Sequence, residues 1–262
     1  MLYRMERLIG MSIRASDEDI GSDEDIGKVE DIYFDDHRWG ARYFVVDTGG
    51  WLSGRKVLIS PIAIESIDWD KRCVQVTLTR QQVEASPPID TDKPVSRQHE
   101  VDFLGYYGYP SYWGGPFMWG TSSYPYPQRP TPAVPGANGA NGSLNERAHS
   151  AADPHLRSAL EVIDYHLQTT DALMGQVEDF LVDNESWAIR YIVVDARSWW
   201  SGKHVVISPQ WITRVDWAER LVYVDVARET VRGAPEYDPS TDYSRAHEAS
   251  LYRHYQRPGY WQ

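Results

Sequence analysis

GKVEDIYFDDHRWGARYFVVDTGGWLSGRKVLISP (27–61) and GQVEDFLVDNESWAIRYIVVDARSWWSGKHVVISP (175–209) align without a gap at an offset of 148 residues. Self-similarity at a fixed spacing is the signature of a duplicated structural unit. The register continues downstream: Asp68-Trp69 falls on Asp216-Trp217, His99-Glu100 on His247-Glu248, and Tyr112-Trp113 on Tyr260-Trp261. Upstream, LIGMSIRASDEDIG (8–21) matches VIDYHLQTTDALMG (162–175) at an offset of 154. The difference is six residues, the length of SDEDIG, which occurs twice in succession over 16–27. Removing one hexamer aligns the copies from Leu8 to Trp113, so the hexamer reads as a local duplication. It lies between two strand-like stretches, where added loop length costs little closure entropy. No start position supplies the ligand spacing of a calcium loop, and copy two carries a single carboxylate there, so an exposed acidic loop is the expectation.

Composition narrows the function classes. The chain has 262 residues, 42% hydrophobic, with 11 Trp and 17 Tyr against 5 Phe. Indoles and phenols bury large area while keeping a polar handle, which suits half-buried surfaces and interfaces. The net charge of −12 repels phosphate backbones and anionic lipid, so nucleic acid is not an expected partner. A single cysteine excludes a disulfide framework and a thiolate zinc site. No apolar run has the length of a membrane span and no signal peptide is evident, so a cytoplasmic location is expected.

Within each copy, short Val-, Ile- and Tyr-rich segments alternate with turn signals every eight to twelve residues. The strands expected are 12–15, 28–35, 42–48, 56–60, 64–68 and 74–79, and their counterparts 166–169, 176–183, 190–196, 204–208, 212–216 and 222–227. One helical turn follows in each copy, and a helical segment over 154–163 is expected to lead into copy two. Six short strands in so few residues imply an all-β fold: two small antiparallel β-barrels in tandem, closed or nearly so. Such a domain is near the size at which one core alone is marginal, so a tail, the other copy or another subunit should cover it. The expected organisation is domain 1 at 8–87, an aromatic tail at 88–113, a Gly/Pro-rich flexible linker at 114–153, domain 2 at 162–235 and a second aromatic tail at 236–262.

The pattern G-x-V-E-D-x-x-x-D, R-Y-x-V-V-D, W-x-S-G-[RK] and V-[LV]-I-S-P, present in both copies, resembles the PRC-barrel family. That family includes the cytoplasmic barrel of the photosynthetic reaction centre H subunit and the C-terminal domain of the ribosome maturation factor RimM. The resemblance implies a small β-barrel used as a protein-docking module without catalysis of its own. The sequence shows no membrane helix like that of the H subunit and no recognisable RimM-type domain before the barrel, so neither photosynthetic electron transfer nor ribosome assembly is expected to carry over. The tandem form with a YYGYPxYW-like tail is similar to stress-associated bacterial PRC-barrel proteins.

Candidate sites follow from what the copies share. Glu30, Asp31 and Asp35 recur as Glu178, Asp179 and Asp183, but adjacent strand residues point to opposite faces and do not form an acid–base pair. Asp47 and Asp195 read as turn caps, with a salt bridge to Arg42 or Arg190 as a second option. Ser53-Gly54 and Ser201-Gly202 suit a tight turn rather than a phosphate cradle, because a strand follows instead of a helix. Only His99 and His247 coincide among the histidines, so no metal site, cofactor or catalytic residue is nominated. Ser96 and Ser244 are candidate caps of short helices. The partner-binding candidates are the repeated aromatic positions: Trp51, Trp199 and Trp200 in the hairpins, and Tyr107, Tyr112, Trp113, Tyr255, Tyr260 and Trp261 in the tails. Against this stands the reading that these rings finish the core. The function expected is a non-enzymatic adaptor for a protein partner, with the two barrels pairing within one chain or in a homodimer. The alternative is a small-ligand or cation binder that uses the interface between the barrels.

Overall fold

The computed structural model describes residues 1–15, 24–89, 95–126, 155–196 and 203–262. Most of the duplicated acidic hexamer, the Trp199-Trp200 hairpin tip and residues 127–153 of the expected linker lie outside them. The chain is mostly β, with two seven-stranded sheets and a few short helices. Among the described residues, no helix is long and apolar enough to cross a membrane.

Six strands of each sheet come from one repeat. In the first they are β2 (Ser12–Ala15), β3 (Glu24–Asp35), β4 (Gly40–Asp47), β5 (Lys56–Ile59), β6 (Ile64–Asp68) and β7 (Cys73–Val76), ordered β5-β4-β3-β2-β7-β6. In the second they are β9 (His166–Gln168), β10 (Leu173–Asp183), β11 (Ile189–Asp195), β12 (His204–Ile207), β13 (Ile212–Asp216) and β14 (Leu221–Val224), ordered β12-β11-β10-β9-β14-β13. The strands expected from the sequence are present in both copies, with ends shifted by a few residues. Two expectations change. The pairing is not wholly antiparallel, because β2 with β7 and β9 with β14 run parallel. The backbone ladder is also open: β5 and β6 are the ends of one sheet, β12 and β13 of the other.

Both departures have one cause. The repeated V-x-I-S-P stretch leaves β5 and β12 through a 3-10 corner rather than a hairpin. Ser60 Oγ accepts from the Ile62 N–H at 3.3 Å, and Pro61 takes the first position, where no N–H is needed. Ser208 and Pro209 repeat the arrangement, at 3.4 Å to Gln210 N. The chain passes the corner without reversing, so the alternation of direction slips by one and β7 meets β2 parallel. The repeated glycine that opens the G-x-V-E-D motif also has a steric reason. A Cβ at Gly27 would lie 2.1 Å from the Asp47 carbonyl oxygen, and one at Gly175 would lie 2.6 Å from that of Asp195.

The seventh strand of each sheet comes from elsewhere in the sequence. β1 (Leu2–Arg4) pairs antiparallel with β10, setting Leu2 opposite Asp183 and Arg4 opposite Leu181. β8 (Leu156–Ser158) pairs with β3, setting Leu156 opposite Asp35 and Ser158 opposite Tyr33. At the upstream offset of 154, Leu2–Arg4 aligns with Leu156–Ser158, so the exchange is reciprocal. The compact units are accordingly interleaved. One comprises Arg7–Ala159 with Glu185–Trp187; the other comprises Met1–Glu6, Leu160–Asn184 and Ala188–Gln262. The segment 154–163 is therefore not helical throughout: β8 precedes a single helical turn, Ala159–Val162. A strand forms there because Leu156 is buried in the first unit beside the free edge of β3.

Asp179, buried on β10, anchors the imported strand. Its carboxylate accepts from Arg4 Nε at 2.7 Å, Glu6 N at 3.1 Å and Phe180 N at 2.8 Å. Burial pushes its pKa up, more than these donors pull it down. In the other unit the Trp187 carbonyl accepts from Ala41 N at 2.9 Å and its ring meets Phe44 edge-on at 5.2 Å. Gly114–Tyr126, linker-like in composition, contains a buried ring: Trp119 donates its indole N–H to the Ser186 carbonyl at 2.7 Å.

Replacing Leu2 with Ala should cost about 2–5 kcal/mol, the usual loss for a buried leucine. Amide exchange at Leu181–Asp183 should accelerate, while that at Tyr33–Asp35 stays as it is. Unchanged protection at 181–183 would mean that β1 does not complete that sheet.

Candidate functional site

Each tail buries one glutamate. Ser96 caps the helix α2 (Arg97–Tyr107), its hydroxyl accepting from His99 N at 3.2 Å. The cap sets Glu100 in the first turn, where the free N–H groups of a helix favour a carboxylate. Glu100 is fully buried. Its Oε1 accepts from the Tyr112 hydroxyl at 2.6 Å and the Tyr43 hydroxyl at 3.0 Å. Its Oε2 meets Arg97 at 3.0 Å and His155 Nε2 at 2.7 Å. Burying a carboxylate is costly unless donors surround it, and this one is surrounded.

The second repeat builds the same cluster. Ser244 caps the helix Arg245–His254, and buried Glu248 accepts from Tyr260 at 2.7 Å and Tyr191 at 3.0 Å, with Arg245 at 2.8 Å. Its one difference is the imidazole, since the alignment puts Met1 at the place of His155. Burial, with the adjacent Glu100 adding to it, pushes the phenols of Tyr43 and Tyr112 well above their ordinary pKa. Tyr191 and Tyr260 are raised as well, burial again the leading cause.

Each cluster is roofed by a cation over an indole. Arg97 lies 4.1 Å from the Trp113 ring and Arg245 lies 4.4 Å from that of Trp261. Next to the first cluster, fully buried Arg42 lies 4.0 Å from the Tyr112 ring and 4.8 Å from that of Trp119. It donates to the Met118 carbonyl at 2.9 Å and approaches Asp35 at 3.5 Å. Burial pushes its guanidinium pKa down. Arg42 thus pairs with Asp35, not with Asp47, whose Oδ1 accepts from Gly49 N at 2.9 Å as a turn cap does.

The aromatic candidates divide by exposure. Tyr107, Tyr112 and Tyr255 are buried within their units. Trp51, Trp113 and Tyr260 are half-buried, and Trp51 donates to the Ile26 carbonyl at 2.7 Å beneath the Arg80 guanidinium at 4.1 Å. Trp261 is 37% exposed, and Trp199 and Trp200 lie outside the described residues. The repeated residues 97–100 and 245–248 read R-x-H-E, and it is the glutamate, not the coinciding histidine, that is buried in the cluster. The signal was available: Arg and Glu three apart after a capping Ser, with Tyr43 and Tyr191 at the same offset. Arg42 and Trp119 gave no comparable signal.

The raised phenols make stability depend on pH at the alkaline end. A tyrosine whose folded pKa exceeds its unfolded value of about 10 contributes fully below that pH. Its contribution is lost as pH rises toward the folded pKa, because only the unfolded chain releases the proton. Each such phenol should remove roughly 1.4 kcal/mol per pH unit above pH 10 or so. Urea midpoints should therefore hold up to about pH 10 and fall steeply above it, with tyrosinate absorbance from these rings appearing only on unfolding.

No curated protein matches the chain. Residues 2–83 match the family model of the PRC-barrel domain. This stretch spans β1 to β7 and all but the last residue of the helical turn α1 (Arg80–Glu84), whose Thr79 cap and Gln82 form a reciprocal capping box. A PRC-barrel domain is therefore present at residues 2–83.

Proposed function

We propose that the chain is a non-enzymatic protein-interaction module, an adaptor built from two PRC-barrel-like units and working in the cytoplasm, in the setting of a stress response. The matched domain supplies half of the reading, and the repeat carries it to the second half. The single observation that favours docking over catalysis is how the conspicuous ionisable side chains are used. Glu100 and Glu248 are engaged by phenols and guanidinium groups of their own units, with the His155 imidazole added at Glu100, an arrangement that holds a tail to a sheet.

What such a module offers a partner is the outer layer of the tails. Trp261 with Arg245, and Trp113 with Arg97, present flat, partly exposed rings stacked against cations. Tryptophan and arginine dominate the energetic centres of protein interfaces. The acidic balance of the chain would steer cationic partners and set association rate more than affinity.

Affinity capture with the full-length protein, followed by titration of the purified partner, tests this. Trp261→Ala should weaken binding at least about tenfold, as loss of an interface anchor does. The double change Trp199→Ala, Trp200→Ala tests the hairpin in the same way. If both variants and the parent bind alike, or if no specific partner is captured, the adaptor reading fails.

A further inference from the structure

The sheet built on the second repeat brings an imidazole and two carboxylates to one point. Glu178, Asp195 and His204 stand on the neighbouring strands β10, β11 and β12. Asp195 and His204 are direct cross-strand partners. Glu178 is the extra residue of the bulge between Val177 and Asp179. A bulge re-aims a side chain out of the regular alternation. One ligating atom from each of the three lies within 4.8 Å of the others. His204 Nε2 and Glu178 Oε2 approach to 2.8 Å. Both atoms are shielded from water, and neither has a hydrogen-bond partner despite that approach. Arg4 stands 3.6 Å from the other oxygen of Glu178, leaving Oε2 turned toward the imidazole.

The first repeat shows what the same three positions hold when the charge is supplied internally. Its counterparts are Glu30, Asp47 and Lys56. The Lys56 ammonium sits 2.8 Å from Glu30, and Asp47 is turned to its own loop, accepting from Gly49 N at 2.9 Å. An ammonium has no lone pair and can only fill the place of a cation. In the second repeat the lysine is replaced by histidine, whose ring nitrogen can donate a lone pair, and the aspartate carboxylate lies within reach of it.

We propose that Glu178, Asp195 and His204 form a binding site for one divalent transition cation of the zinc class. One imidazole with two carboxylates suits such an ion better than magnesium or calcium, which prefer all-oxygen shells. Bonds of about 2.0–2.2 Å to nitrogen and oxygen require the three atoms to stand somewhat over 3 Å apart. His204 and Glu178 now stand closer than that, at 2.8 Å, and a ligating atom of each of the three residues lies within 4.8 Å of the others. Three protein ligands leave a coordination position for water or for a side chain of a docked partner. The competing account is a plain imidazolium–carboxylate ion pair, and His204→Lys separates the two. The variant keeps the ion pair in the form the first repeat already uses, so it should fold, and it removes the lone pair.

The experiment is calorimetric titration of metal-free, full-length protein with zinc, alongside cobalt(II) absorbance as a report on nitrogen coordination. One equivalent should bind the parent. His204→Lys and Glu178→Gln should each weaken binding by roughly tenfold or more, at an unchanged metal-free melting temperature for the lysine variant. Absence of saturable zinc binding to the parent overturns the proposal, and so does equal affinity for parent and His204→Lys.

Discussion

The free edge of one long strand governs the architecture. β3 and β10, of 12 and 11 residues, are at least three times as long as their hairpin neighbours on that side, β2 and β9, of 4 and 3 residues, and would expose unpaired N–H and C=O groups along much of their length. Unpaired edges are a liability that folded proteins must cover. Here the cover is a three-residue strand from a distant part of the sequence, once from the N-terminus and once from the segment before the second repeat. Three ladder residues are a small gain taken alone. They come with a buried leucine and, in one unit, with the Arg4–Asp179 contact, which turns a marginal pairing into a fixed one.

The second organising element is the pair of buried glutamates. Removing a carboxylate from water forces its surroundings to converge on it, because each lone pair left without a donor carries a desolvation penalty. Glu100 and Glu248 therefore specify where the tail helix, the sheet tyrosine and the terminal Tyr-Trp pair meet. The rings in the tails are numerous for this reason. Several are hydrogen-bonded walls of a polar core rather than a free surface, and among the described tail residues Trp261 is the most exposed of the aromatic candidates.

Much of this was legible in the sequence. The repeat, its strands, the capping serines and the Ser53-Gly54 turn, both residues at positive φ, all followed from spacing, and each has a local cause: alternation, φ-permissive residues, a side-chain oxygen before a helix; Ser201-Gly202 lies outside the described residues. What escaped notice is non-local. Leu2–Arg4 and Leu156–Ser158 are too short to show any period. Composition assigned Gly114–Tyr126 to a linker, although Trp119 is buried against Ser186. The 3-10 corners were visible as a repeated Ser-Pro, yet their effect on strand direction appears only when the pairing is known. Tyr107 and Tyr112 looked like contact residues because a sequence records that a ring is present, not which way it faces.

The exchanged strands also bear on how this molecule comes into being. The first sheet lacks its last strand until residue 158 has been synthesised, and the second sheet must recover Leu2, which meets Asp183 across some 180 positions of chain. Closures of that span are slow compared with hairpins, and a nascent first half left waiting carries an open edge. A chaperone or a crowded ribosome would meet this protein at that stage, with β3 half paired, rather than as two finished domains emerging in turn.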